Sequence, residues 1–161
     1  MEDGPSFLPP LLDLDGDWDA ILSRLYGVFV KDFKESNTYH CGIKVIYNGT
    51  IRPDGFGKEE GFWHAVSRTD DNTGDRLIDY PRAKRLPWAK PLMESPDRPE
   101  IKVWQYQEGT TDKGLRTYIW LEKYDYVLIL QRKKKVFYWV TAFYVDWWKK
   151  KEFRKKFDSK A

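Results

Sequence analysis

The feature that most constrains the fold of this chain is a change in hydrophobic periodicity near residue 100. Before it, apolar residues recur at helical spacing, most clearly between Trp18 and Phe33, which predicts an amphipathic helix capped by Asp17. After it, four segments rich in β-branched and aromatic residues follow one another, at 100–107, 116–123, 125–132 and 135–145. Because short polar links join them, we expect these segments to pair as an antiparallel meander.

This order predicts an α+β protein in which N-terminal helices pack on one face of a four-stranded antiparallel β-meander, followed by a basic C-terminal helix. A length of 161 residues suits a single domain. We divide it into an irregular arm (1–16), a mainly helical part (17–95), the sheet (100–146) and the terminal helix (147–161).

Three local patterns in the helical part give further predictions. The segment 39–50 is typical of one strand that ends in an Asn48-Gly49 turn. Residues 59–68 should form a short helix with acidic residues in its first turn. We expect the segment 81–96 to be helical but broken at Pro87 and Pro91, because each proline removes a backbone donor.

The charge of the chain is unevenly distributed. Residues 1–60 carry 6 Lys and Arg against 11 Asp and Glu, whereas residues 61–161 carry 22 against 14. The basic part is also rich in aromatic residues, and a basic, aromatic surface is typical of proteins that bind a polyanion. Nucleic acid is therefore the first partner to consider.

Several classes of protein are excluded or disfavoured by residues that are scarce. The single cysteine, Cys41, excludes an internal disulfide and a cysteine-based zinc site. With His40 and His64 as the only histidines, a His-rich metal site is also excluded, so we expect no metal and no cofactor. The sequence shows neither a signal peptide nor an apolar run of about 20 residues, which predicts a cytoplasmic protein without a membrane partner.

Three places carry candidate chemistry. His64 lies on a predicted helix with Arg68 one turn later, and a histidine near neutral pH suits general acid or base catalysis, although a plain surface histidine has the same pattern. Arg82 and Arg85 share one helix face, where they could grip a phosphate; the alternative is a solvated basic face with a buried tryptophan behind it. Thr141 either presents its hydroxyl to a ligand or satisfies the backbone.

Supporting residues lie close to these candidates. Lys84 lies between the two arginines and Trp88 follows them, and the indole of Trp88 could stack on a base. Strict alternation along the last strand would place Phe137, Trp139, Thr141 and Phe143 on one face. His40, which opens a predicted strand, is interpreted as structural.

Taken in order, these features resemble the BECR group of metal-independent RNases and toxins, named for barnase, EndoU, the colicin tRNases and RelE, and most of all its phage- and prophage-associated members. The resemblance covers roughly residues 60–158. It rests on Phe62-Trp63-His64, on the run from Arg82 to Trp88, on Tyr118 to Glu122, on Asp125 to Leu130, on Val140 to Phe143 and on the basic terminal helix. The chain lacks the second histidine of EndoU and the histidine that follows the sheet in barnase.

The resemblance implies an endoribonuclease with catalytic groups on the open face of the sheet. The catalytic residues that the resemblance implies for this chain are His64 as general base or acid, Arg82 and Arg85 as a phosphate clamp, and Thr141 as a hydrogen-bond donor. Such enzymes cleave RNA by attack of the ribose 2′-OH on the adjacent phosphorus, without a metal, while cations stabilise the developing charge. The residues expected to bind substrate are Arg68, Lys84, Trp88, Trp120 and Tyr144, with Trp104 as a further stacking candidate.

The resemblance also implies partners: RNA, with tRNA as one candidate, and a cognate antitoxin or immunity protein. Two alternatives remain open from the sequence. One is a nucleic-acid-binding module that has kept the fold and lost the chemistry, which predicts salt-dependent binding without turnover. The other is a phage or prophage protein-interaction factor that docks through exposed aromatic residues.

Overall fold

The computed structural model describes residues 4–107 and 115–160, and the predicted link at 108–114 lies outside the described residues. Its helices are α1 (Trp18–Phe29), α2 (Glu60–Val66), α3 (Tyr80–Lys84), α4 (Leu86–Glu94) and α5 (Lys150–Asp158). Its strands are β1 (Thr38–His40), β2 (Ile43–Ile46), β3 (Ser67–Thr69), β4 (Arg76–Ile78), β5 (Lys102–Gln107), β6 (Leu115–Leu121), β7 (Tyr126–Lys133) and β8 (Val136–Tyr144).

The central sheet has six strands in the order β1-β2-β8-β7-β6-β5. Strands β5 to β8 pair antiparallel with their neighbours in sequence, whereas β2 pairs parallel with β8. The α+β class is confirmed, but the prediction of a four-stranded sheet is wrong. The segment 39–50 contains two strands instead of one, because Cys41 and Gly42 both adopt positive φ and turn the chain back into a hairpin.

Helices cover both faces of this sheet. Helices α1 to α4 bury one face, with Leu25, Phe29, Phe62 and Leu92 packed in the same core as Leu128. On the opposite face, α5 inserts Phe153 into a separate core. Fully burying an apolar side chain of this size contributes about 1.5–3 kcal/mol. The face that the resemblance leaves open for catalysis is therefore partly occupied by the terminal helix.

The helical part follows its sequence pattern with two corrections. Asp17 caps α1 as predicted, accepting a hydrogen bond from the amide of Ala20 at 2.9 Å, and the helix continues as a π-helical turn, Val30–Lys34. Pro87 lies in the first turn of α4, where its missing donor costs nothing, but Pro91 lies within α4 and does not break it. The helix predicted over 59–68 ends at Val66, where β3 begins.

The two ends of the described chain are held differently. Residues 4–16 form no helix or strand, and the Trp88 indole donates to the carbonyl oxygen of Pro9 at 2.8 Å, which ties this arm to α4. At the other end, α5 begins at Lys150, three residues later than predicted. Over both described ranges, none of the helices has the length and apolar character needed to cross a membrane.

Candidate nucleic-acid interface

His64 is the residue of α2 whose side chain faces solvent. Phe62, Trp63, Ala65 and Val66 are all buried around it, so the helix leaves His64 as its outward position. Partial burial lowers the pKa of His64 below its usual value of 6.5, and the positive charges of nearby arginines lower it further, whereas Glu60 raises it. The imidazole is therefore mostly neutral at pH 7. The arginines concerned are Arg52, Arg76 and Arg82.

Arg82, on α3, is buried, with 8% of its surface exposed. Its Nη1 donates to the carbonyl oxygen of His64 at 3.0 Å and to that of Ser67 at 2.8 Å, at the end of α2. Its Nε lies 3.5 Å from a carboxylate oxygen of Asp79, which also caps α3. Neither Nη2 nor the buried Nε makes a hydrogen bond to a residue in the described ranges. Only Nη1 of this guanidinium therefore has hydrogen-bond partners in the protein.

Thr141 also reaches the carbonyl oxygen of His64, at 3.3 Å from its hydroxyl. A bulge in β8 sets this position, because Leu130 pairs with Trp139 and Ile129 pairs with Thr141, leaving Val140 as an extra residue. The predicted alternation is therefore wrong beyond Trp139: Trp139 packs on the helix-covered face together with Ala142 rather than with Thr141. The Thr141 hydroxyl serves the backbone, one of the two roles considered from the sequence.

The structure thus brings His64, Arg82 and Thr141 together, but at a main-chain carbonyl oxygen rather than at the imidazole. Of these three residues, Arg82 and Thr141 use their side chains to hold the end of α2 in place. This position is stabilising, because a guanidinium at a helix C-terminus offsets the partial negative charge of the unpaired carbonyl groups.

Arg85 does not join this group. Because α3 ends at Lys84, Arg85 leaves the helical path and does not share a face with Arg82. It is 1% exposed, donates to the carbonyl oxygens of Pro81 at 2.8 Å and Tyr124 at 3.2 Å, and lies 4.6 Å from the ring centre of Tyr144. Its guanidinium is part of the core, so this structure does not present it to a phosphate.

Most predicted stacking residues are also buried. Trp88 is fully buried beneath the N-terminal arm, and Trp104 and Trp120 lie in the core beneath α5. None of the three indoles is open to a base. Lys84 is exposed, but it lines a surface hollow beside the N-terminal arm rather than the region around His64.

Arg68 and Tyr144, in contrast, line one cleft together with Arg82. This cleft, of about 380 Å³, lies between β3, the start of α3, the end of β8 and α5. Four cationic side chains border it: Arg68, Arg82, Lys149 and Lys156. Three carboxylates do the same: Asp79, Asp146 and Glu152. The rings of Phe143, Tyr144 and Phe153 complete the walls.

Two exposed tryptophans lie in the chain between two residues that line this cleft. Trp147 is 84% exposed and Trp148 is 59% exposed, and they follow Asp146 and precede Lys149, which both line the cleft. The Nζ of Lys149 lies 5.1 Å from the ring centre of Trp148. We call Trp147, Trp148 and the exposed basic residues Lys149, Lys151 and Lys155 the Trp–Lys surface.

No family model, curated protein or solved structure matches this chain. In the part of the chain that the structure describes, no three His, Cys, Asp or Glu side chains cluster in a way that could hold a metal ion. What the surface binds is therefore inferred from its own chemistry.

The sequence pattern places Trp147 and Trp148 in the predicted terminal helix, 147–161, and does not single them out as a binding site. In the structure α5 begins only at Lys150, so the two tryptophans precede the helix and neither lies on its inward face. Phe153 and Phe157 are four residues apart and do occupy the inward face.

Proposed function

We propose that the protein binds single-stranded RNA through the Trp–Lys surface. The observation that supports this is the pair of exposed indoles next to exposed lysines. Exposed aromatic rings provide platforms on which unpaired bases stack, and cations beside them follow the phosphate backbone. The sequence resemblance to metal-independent RNases favours RNA over DNA as the partner.

The way α5 is attached supports the same proposal. Phe153 and Phe157 anchor it on the sheet, and its Lys150 pairs with Asp125 at 2.6 Å. These contacts fix the helix with Lys151 and Lys155 exposed, and neither lysine forms an ion pair within the described ranges. Because the helix is already fixed, little backbone entropy is lost when these lysines bind a ligand.

Fluorescence anisotropy with a labelled single-stranded RNA tests the proposal. We expect the double variant Trp147→Ala/Trp148→Ala to weaken binding by about tenfold or more, since stacking contributes about 1–3 kcal/mol per base. The matched control is Trp18→Ala, which removes a 43% exposed tryptophan from α1, on the other side of the sheet. Equal affinity of the double variant and the parent would refute the proposal.

A second function, cleavage of the bound RNA, is favoured by the state of His64. Its imidazole is exposed, and its lowered pKa keeps it able to accept a proton at neutral pH. In this proposal, neutral His64 takes the proton of a ribose 2′-OH, whose oxygen attacks the adjacent phosphorus and displaces the 5′-oxygen, which leaves with a proton from water. The positive charges of the arginines that lower the pKa of His64 would also favour the approach of a phosphate to the imidazole.

Cleavage is tested separately from binding. Labelled single-stranded RNA incubated with the protein in EDTA should yield fragments ending in a 2′,3′-cyclic phosphate, and His64→Ala should abolish them while leaving RNA affinity within about twofold. His40, the other histidine, is buried and hydrogen-bonded to the Met93 carbonyl oxygen, so it cannot replace His64 at the surface. If the parent binds RNA without cleaving it, the protein is a binding module with this fold.

A further inference from the structure

We propose that the cleft between β3, α3, β8 and α5 is a pocket that holds one nucleotide of the bound RNA. Arg68 and Arg82 would bind its phosphate, and Asp146 and Glu152 would accept hydrogen bonds from an amino group of its base. This inference rests on the proposed function and adds to it a pocket and a base preference. It concerns residues other than the exposed indoles of the Trp–Lys surface.

The first observation is the unused hydrogen-bonding capacity of Arg82. The Arg82 side chain is about nine-tenths buried and lines the cleft, while neither its Nη2 nor its buried Nε has a hydrogen-bond partner among the described residues. Because the end of α2 and Asp79 fix the rest of the group, Nη2 is held in one orientation. A preoriented donor in a partly buried place is what recognition of an anionic oxygen requires.

The second observation is the charge of the facing walls. Arg68 is exposed and forms no ion pair with a described residue, so it can meet the same anion as Arg82. Asp146 and Glu152 are also exposed, and their carboxylates make neither an ion pair nor a hydrogen bond in the described ranges. Lys149 and Lys156 also line the cleft, so it presents both positive and negative side chains. A ligand with an anionic end and a hydrogen-bond-donating end can use both kinds.

A nucleotide has these two ends. Its phosphate is the anion, and the amino group of cytosine, adenine or guanine donates to carboxylates such as Asp or Glu. The rings of Phe143 and Phe153 provide an apolar wall for the base, and a cleft of about 380 Å³ has the size of a small-ligand pocket. Uracil presents a carbonyl oxygen where cytosine presents its amino group, so cytosine should be preferred over uracil.

The pocket and the Trp–Lys surface share Lys149. Asp146 and Lys149 line the cleft, and Trp147 and Trp148 lie between them in the chain. In this proposal, bases of one strand stack on the two indoles while a neighbouring nucleotide enters the cleft.

Titration of the full chain with cytidine 5′-monophosphate, uridine 5′-monophosphate and cytidine, followed by protein NMR, tests this inference. We expect cytidine 5′-monophosphate to bind more tightly than either of the others. Arg68→Ala should reduce its affinity about tenfold or more and leave that of cytidine unchanged. Glu152→Gln should remove the preference for cytidine over uridine monophosphate. Both residues are exposed, so unchanged unfolding midpoints are expected and serve as the control for folding.

Each other outcome has a definite meaning. Failure of all three ligands to bind overturns the inference, as does an affinity for inorganic phosphate equal to that for cytidine 5′-monophosphate. If single-stranded RNA binds through Trp147 and Trp148 but cytidine 5′-monophosphate does not, the pocket is refuted and the proposed function stands. If the mononucleotide binds as expected and RNA does not, RNA binding is refuted and the nucleotide site stands.

Discussion

Arg82 and His64 are joined through the main chain: Nη1 of the arginine donates to the carbonyl oxygen of the histidine at 3.0 Å, and the imidazole faces away into solvent. The same nitrogen also holds the carbonyl oxygen of Ser67, so one guanidinium closes the end of α2. The sequence favours these two residues as catalytic partners. In the structure Arg82 caps the helix, and the imidazole of His64 is exposed beside it. The predictions below separate these two roles.

Arg82→Met should destabilise the protein by about 3 kcal/mol. The variant keeps the apolar stem but leaves the carbonyl oxygens of His64 and Ser67 without their donor and the carboxylate of Asp79 without its ion-pair partner, and each such loss is costly. Urea unfolding measures the change. The control is Arg68→Met on the neighbouring β3, whose exposed side chain should alter stability by no more than about 0.5 kcal/mol. Equal stability of both variants would contradict the capping role.

Thr141→Val should cost about 1 kcal/mol, and Thr141→Ser should restore most of this loss. Valine has nearly the same shape but cannot donate to the carbonyl oxygen of His64, whereas serine can. Urea unfolding of the two variants in parallel measures the contribution of the hydroxyl. If serine is no better than valine, the threonine acts through its methyl group and not through this hydrogen bond.

The protein should lose stability as the pH falls from 7 to 5, and the buried His40 contributes to this loss. Burial lowers the pKa of His40 below 6.5, although the Met93 carbonyl oxygen raises it slightly. In this pH range the unfolded chain therefore binds a proton at His40 more readily than the folded chain does. The free energy of unfolding is highest above about pH 6.5 and falls below that pH. Unfolding free energies of the parent and of His40→Asn, which retains a donor for Met93, should converge as the pH falls. Parallel curves would contradict this origin.

Binding of single-stranded RNA should weaken with salt, and Lys151→Ala/Lys155→Ala should reduce that dependence. For single strands, each phosphate contact contributes about 0.7 to the slope of log affinity against log salt. Loss of both lysines should therefore lower the slope by about 1.4. Lys44→Ala is the control, since this exposed lysine lies on β2, near the other end of the sheet order from β5 and β6. A slope that changes equally in both variants would indicate binding without a defined surface.

Periodicity located most secondary structure because it reports which side of a segment is buried. Asp17 and the apolar residues from Trp18 onward give α1 its start and its inward face, and the four β-rich segments become β5 to β8. The two strands at 38–46 are short, and their turn at Cys41-Gly42 carries no proline or Asn-Gly pair to mark it. The parallel pairing of β2 with β8 depends on residues about ninety positions away, which local pattern does not record.

The candidate site is harder to predict from the sequence than the fold is. Arg82 and Arg85 look equivalent at a spacing of three, but the break after Lys84 sends one to the cleft and the other into the core. Trp88, Trp120 and Trp147 all lie in the basic, aromatic part of the chain. The first two are nevertheless buried, whereas the third is 84% exposed. Residue type sets what a side chain can do, and burial sets whether a ligand can reach it.

The sequence by itself determined the α+β class, the basic and aromatic character of the C-terminal part, and the presence of one histidine on a short helix, because composition and period are local properties. Only the tertiary structure decided which cations and indoles face solvent, since that depends on the β8 bulge, the break between α3 and α4, and the packing of α5 on the second face of the sheet. Long-range packing made Arg82 a cap for the end of α2, Arg85 a core residue, and Trp147 and Trp148 exposed rings beside exposed lysines.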